Sequence, residues 1–313
     1  MFNSIKNIKK RAYKMYQMRK NKKYIGDESK VKHIDEILML MSAMTGFKNV
    51  EKIIKMVHER KINNMKFGLN RKQLKDIALV FMVIDNAYFR FSTVIGSVAH
   101  LLTRFVAPLF AWLMVDGFFY TGSKKKYCMR LWIFAVLMQI GNVLSSVIWR
   151  ERGIKDNIFL TLAFGFTIIW FFDMAKKDSG RKKILFNVLA IFVTVIALAI
   201  SIVPLPIGSG IILEGGLQLI PLILIAYFFH GNKLKQSVFI GIYSVLMFFF
   251  YGGFEIFSQG FDMFCVNSDW MTFMVIPFIF LYNNEEGKKG NKWFFYIFYP
   301  VHLWIIAILG NIL

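Results

Sequence analysis

A single histidine, His302, sits in the middle of FFYIFYPVHLWIIAILGNIL, residues 294–313. The stretch is otherwise apolar and matches the roughly 20 helical residues that cross a bilayer core. Nine residues from Trp293 at roughly 1.5 Å each put the imidazole about 14 Å deep, near the midplane. Imidazole suits proton transfer near neutral pH, and an ionisable group at that depth usually faces a bundle interior or a wet cavity because lipid burial is costly. The competing reading is a structural histidine bonded to a neighbouring helix. Asp85, next to Asn86, lies ten residues into an earlier apolar run, about 15 Å deep at helical rise, and so matches His302 in level. On the following run His100, Arg104 and Pro108 are spaced by four and share one helical face. A charge-assisted bond between Arg104 and Asp85 would relieve the cost of burying either. His100 beside Arg104 is then expected to be neutral, since a second positive charge one turn away is unfavourable.

Further along that run Asp116 and Tyr120 lie one turn apart, and Arg130 opens the next run; together they make a floor for an anionic cosubstrate arriving from the cytosol. Lys124, Lys125 and Lys126 read equally well as a simple topogenic cluster. Glu214 and Glu255 fall near outer helix ends, where they would receive a cationic amine or be solvated. The two cysteines, Cys128 and Cys265, are expected on opposite sides, so no disulfide framework is implied, and no metal site is expected.

The elements that must position these residues follow from composition. At 56% hydrophobic and 17% aromatic, with mean hydropathy +0.49, the 313 residues are too apolar for a soluble domain and fit an all-α polytopic membrane protein. The net charge of +20 does not imply nucleic acid, because in a membrane protein such an excess sits in loops and interfacial helices, where it sets topology and binds anionic lipid. No signal peptide is evident at the basic start. Residues 1–70 read as a cytoplasmic helical extension: Ile5, Ile8, Ala12 and Met15 recur at helical spacing among lysines, and a helical hairpin broken at Gly46 follows. From Leu74 nine spans are expected, near 75–95, 97–120, 130–149, 157–173, 184–204, 211–229, 236–256, 270–283 and 293–312. Basic loops after the second, fourth, sixth and eighth spans put the N-terminus in the cytoplasm and the C-terminus outside. No internal repeat is apparent, which weakens a transporter reading.

Four segments in order carry a family resemblance. LKDIALVFMVIDN is similar to the opening segment of the TraX family, membrane proteins associated with N-terminal acetylation of conjugative pilin. RFVAPLFAWLMVDGFFYTGSKKKYCMRLWIFA resembles its second segment, with agreement at Arg104, Pro108, Phe110, Ala111, Gly117, Phe118, Thr121, Tyr127, Arg130 and Leu131. Asn157, Ile158, Thr161 and Leu162 match a third, and FFYIFYPVHL the terminal one. The resemblance covers about residues 74–313. It implies a bacterial inner-membrane acyltransferase domain that takes acetyl from acetyl-CoA on the cytosolic side and passes it to a peptide or small-molecule acceptor. Tyr120, Thr121, Arg130 and Asn157 become candidates for holding the cosubstrate.

Two departures bear on catalysis. The family's Asp-His is Asp85-Asn86 here, and its His-Thr is Tyr120-Thr121. Asparagine cannot act as a general base near neutral pH. His302 is then the expected base, His100 the reserve, Asp85 an orienting carboxylate, and Asn86, Arg104 or Tyr120 the group that steadies the oxyanion. A non-catalytic relative, or a transporter for a peptide or small solute, is the alternative. The acceptor and the oligomeric state are not legible.

Overall fold

The computed structural model describes residues 68–312 except 89–93, 204, 206–210, 261–263, 265–267, 289, 290 and 292. The basic stripe and hairpin expected in residues 1–67, and Cys265, lie outside the described residues. Among the described residues ten α-helices follow in order: α1 Arg71–Tyr88, α2 Val94–Leu102, α3 Val106–Tyr120, α4 Lys124–Trp149, α5 Ile158–Lys177, α6 Gly180–Ile202, α7 Gly216–Phe228, α8 Lys233–Phe250, α9 Ile276–Leu281 and α10 Phe294–Ile312. The 3₁₀ segment Asp269–Val275 leads directly into α9. No strand is present among the described residues; only isolated bridge residues occur, as between Leu205 and Ile211.

Among the described residues six helical stretches are long and apolar enough to cross a membrane: Gly96–Tyr120, Lys124–Trp149, Ile158–Lys177, Gly180–Ile202, Lys233–Phe250 and Phe294–Asn311. Gly216–Phe228 and Asp269–Leu281 are apolar but shorter. All nine expected segments are helical, while the length and hydropathy needed to span hold for six of them. Four of the described helix starts are closed by side chains, one of them α4, where Ser123 Oγ accepts from Lys126 N at 3.3 Å. Asn70 and Gln73 exchange bonds of 3.0 and 2.9 Å ahead of α1, Asn157 Oδ1 accepts from Leu160 N at 3.2 Å, and Asn232 Oδ1 accepts from Lys235 N at 2.9 Å.

The second expected span is not one continuous helix. It turns at Thr103–Phe105, between α2 and α3. Pro108 accounts for the break: it has no N–H to offer the Arg104 carbonyl, and its ring crowds that carbonyl. The Thr103 amide meets the carbonyls of Ala99 and His100 at 3.1 and 3.2 Å, which tightens the last turn of α2. One buried core cluster lies where α5, α6 and α7 meet, around Ile168, Ala197, Leu213 and Ile220. Outer helices bury little: α6 buries only Ala190 and Ala197 and turns Val188, Phe192 and Val195 outward, as a lipid-facing helix does.

Candidate functional site

Helix α1 runs from the lysine-rich end of the bundle and brings Asp85 near its far end, where α2 and the turn after it close over the carboxylate. Asp85 Oδ1 accepts from Arg104 Nη2 at 2.7 Å and from the Thr103 hydroxyl, and it lies 3.1 Å from His100 Nδ1. The Arg104 and Asp85 side chains are only 11% and 20% exposed, so the expected pair is present and largely out of solvent. Arg104 has a second acid: its Nη1 donates to Asp269 Oδ1 at 2.8 Å, and its Nε donates to the His100 carbonyl at 3.0 Å. His100 Nδ1 also sits 2.8 Å from Arg104 Nη2. Guanidinium can only donate, so a bare Nδ1 bonds Arg104 and a protonated Nδ1 bonds Asp85. The tautomer of one ring therefore selects its partner.

His302 reaches the same level from α10. Its Nδ1 lies 3.0 Å from the Phe298 carbonyl one turn back, an acceptor only, so Nδ1 carries a proton. In the neutral ring Nε2 then holds the lone pair, and it receives the Asn86 Nδ2 at 2.7 Å. The equal depths read from Asp85 and His302 thus correspond to a bond between neighbouring residues of α1 and α10. Asn86 occupies the one basic atom of the imidazole. Beside His302, Tyr299 places its ring 5.5 Å away and its hydroxyl donates to Glu214 Oε2 at 2.9 Å. Glu214 is therefore tied into the bundle. Glu255, by contrast, is exposed.

The residues expected to hold a cosubstrate divide. Tyr120 is exposed at the lysine-rich end, with the Arg71 guanidinium 4.9 Å above its ring. It lies sixteen residues from Arg104, on the order of 24 Å at helical rise, and so cannot steady an oxyanion beside Asp85. Thr121 Oγ1 accepts from Ser123 N at 3.4 Å. Arg130 is half-buried, its guanidinium 5.5 Å from the Tyr127 ring, and its buried Nε has no hydrogen-bond partner among the described residues. Asn157 is committed elsewhere: besides capping α5, it donates to the Ala135 carbonyl at 3.0 Å. Ala135 is eleven residues past the start of α4, about 17 Å at helical rise, so the four candidates do not meet in one pocket.

In a second polar cluster, at the lysine-rich end, the sequence pointed to Asp116 beside Tyr120, but not to the partners that surround it. Asp116 accepts from Arg71 Nε at 2.7 Å and from the Tyr282 hydroxyl at 3.0 Å, and its Oδ1 lies 3.7 Å from His230 Nε2. Burial works against the Arg71 charge, yet Asp116 holds the guanidinium pKa above its ordinary value. Lys75, one turn further along α1, lies 5.1 Å from the Phe295 ring centroid. Arg71, Thr103 and Asp269 carried no motif signal, because their partners are 45, 18 and 165 residues away. Arg71 and Asp269 lie just outside predicted spans, whereas Thr103 falls inside one.

A bundle of apolar helices with an ion-paired layer buried between them defines a multi-pass membrane protein with an internal polar site. The family described as TraX protein matches residues 70–310, and the chain belongs to the TraX family. No curated protein and no solved structure matches the chain.

Proposed function

We propose that this protein is a membrane-integral acyltransferase that moves acetyl from cytosolic acetyl-CoA to an amine or hydroxyl acceptor such as a peptide N-terminus. The observation that carries this reading is the convergence of Asp85, Arg104, His100 and the Asn86–His302 pair at one level of the bundle. Family membership supports it. The acceptor N–H or O–H attacks the thioester carbonyl carbon: the new C–N or C–O bond forms, the C–S bond breaks, and the acceptor proton passes to His302 Nε2 and on to the departing thiolate. For Nε2 to take that proton Asn86 must swing aside, and its freed amide then steadies the developing oxyanion. At the lysine-rich end, on the cytosolic side in this reading, the unpartnered Arg130 Nε, with Arg71 and Lys75, suits the phosphates of the cosubstrate.

The same Asn86–His302 bond favours a second reading, a non-catalytic relative, because it ties up the base. Purified protein in detergent decides between the two. Wild type should bind acetyl-CoA and transfer labelled acetyl to a peptide. His302→Ala should keep binding and lose transfer by roughly 10²- to 10⁴-fold, and His302→Gln should be equally inactive. Absence of acetyl-CoA binding by wild type, or a fully active His302→Gln, would overturn the catalytic assignment.

A further inference from the structure

A cavity of about 300 Å³ opens at the lysine-rich end between α5, α6 and α7, lined by Phe172, Ala175, Lys176, Lys183, Asn187 and Phe228. It belongs to neither polar cluster described above. Its lining holds two cations and no acid. Lys176 forms no ion pair among the described residues; its Nζ lies 4.3 and 5.3 Å from the ring centroids of Tyr227 and Phe228. The Tyr227 hydroxyl beneath it is buried and has no hydrogen-bond partner among the described residues. Asp173, the acid nearest on α5, is engaged by Lys124 and Lys177, each at 2.7 Å. Arg181 and Lys182 add two exposed cations on the first turn of α6, against Asp178 at the end of α5.

The cavity continues into an apolar track. Lys183 and Asn187 begin a ridge of i, i+4 residues along α6 that runs on through Ile191 and Val195, both more than half exposed. A water-soluble anion would use the lysines and leave this ridge bare. A zwitterionic headgroup would return a positive charge to a site that already has an excess. Basic pockets between membrane helices take anionic lipid headgroups for these reasons, and aromatic side chains favour the same interfacial depth. We propose that this cavity binds an anionic phospholipid, with its phosphate between Lys176 and Lys183 and one acyl chain along Asn187, Ile191 and Val195 of α6. The site is separate from the proposed acyl transfer and stands without it.

Native mass spectrometry of the full chain, offered equal amounts of phosphatidylglycerol and phosphatidylcholine in detergent, tests the site. Wild type should retain phosphatidylglycerol preferentially, and Lys176→Gln with Lys183→Gln should reduce that preference by about fivefold for each lysine. Lys125→Gln with Lys126→Gln, exposed at the same end but outside the cavity, should leave it unchanged. Asn187→Trp keeps every charge while filling the mouth of the cavity, and it should also lose retention, which reads the site even if the lysine variant does not fold. Glycerol 3-phosphate should fail to displace the lipid. Equal loss in the Lys125 and Lys126 variant, unchanged retention in the cavity variants, or displacement by glycerol 3-phosphate would each overturn the proposal.

Discussion

Arg104 is the residue on which most of the buried polar layer depends, since it touches Asp85, Asp269 and His100 together. Removing one partner of a buried ion pair leaves an uncompensated charge and costs roughly 3 to 5 kcal/mol, whereas an exposed lysine is near neutral. Arg104→Ala should therefore lower folded yield and melting temperature in detergent far more than Lys125→Ala. Adding Asp85→Asn should recover part of the loss and no more, because Asp269 remains without its guanidinium. A double variant as poor as the sum of the two singles would mean that Asp85 and Arg104 are not energetically coupled. Arg130 and Asn157 should separate in the same spirit. Arg130→Gln should weaken acetyl-CoA binding by roughly tenfold or more, the worth of one charge-assisted bond. Asn157→Ala should cost about 1 kcal/mol of stability through the lost cap and leave binding alone. Asn86→His, which restores the imidazole of the family pattern beside Asp85, should raise the transfer rate or leave it unchanged.

At the scale of elements, the turn between α2 and α3 is what sets Thr103 and Arg104 against Asp85. Period-four spacing placed His100 and Arg104 together correctly, and they do touch. The spacing overlooked the cost of Pro108 to the helix that it was counted on. Another junction can be tested through glycine. A Cβ on Gly153, after α4, would come within 2.8 Å of Ser146 Cα and 2.9 Å of Ser146 N, and backbone atoms cannot give way as a side-chain tip can. Gly122, ahead of α4, has nothing within 4 Å of its added Cβ. Gly153→Ala should therefore destabilise by about 1 to 3 kcal/mol, as overpacking does, while Gly122→Ala stays within about 0.5 kcal/mol. Thermal unfolding followed by fluorescence-detected chromatography in detergent compares the two directly, and equal melting temperatures would refute the steric argument.

For the molecule as a whole, sidedness is the property on which the proposed chemistry depends, because acetyl-CoA is cytosolic. Five basic residues between Lys176 and Lys183 should hold the end of α5 in the cytoplasm. Five further segments then carry the chain out. A reporter fused after Lys177 should read cytoplasm and one after Leu313 the outside; both on one side would break the nine-segment topology. Three of those segments, α1, α7 and the stretch Asp269–Leu281, fall short of spanning length or hydropathy. α7 is nevertheless deeply buried, with Leu219, Ile220, Leu222 and Ile223 almost inaccessible. Most of its apolar side chains face protein, so it need not be as long as a helix that meets lipid.

The sequence by itself determined what depends on local order. Apolar run lengths placed the helices, and four ordered motifs marked the TraX family. Counting residues at helical rise even put Asp85 and His302 at one depth, because a helix converts sequence distance into height almost linearly. Which helices stand side by side was decided only in three dimensions. Nothing in the chain announces that Asn86 faces His302 across 216 residues, that Asp269 shares Arg104 with Asp85, or that Arg71 closes on Asp116. Pairings of this kind arise from the rotation and packing of each helix against its neighbours, a collective outcome of many small side-chain contacts that no single spacing encodes.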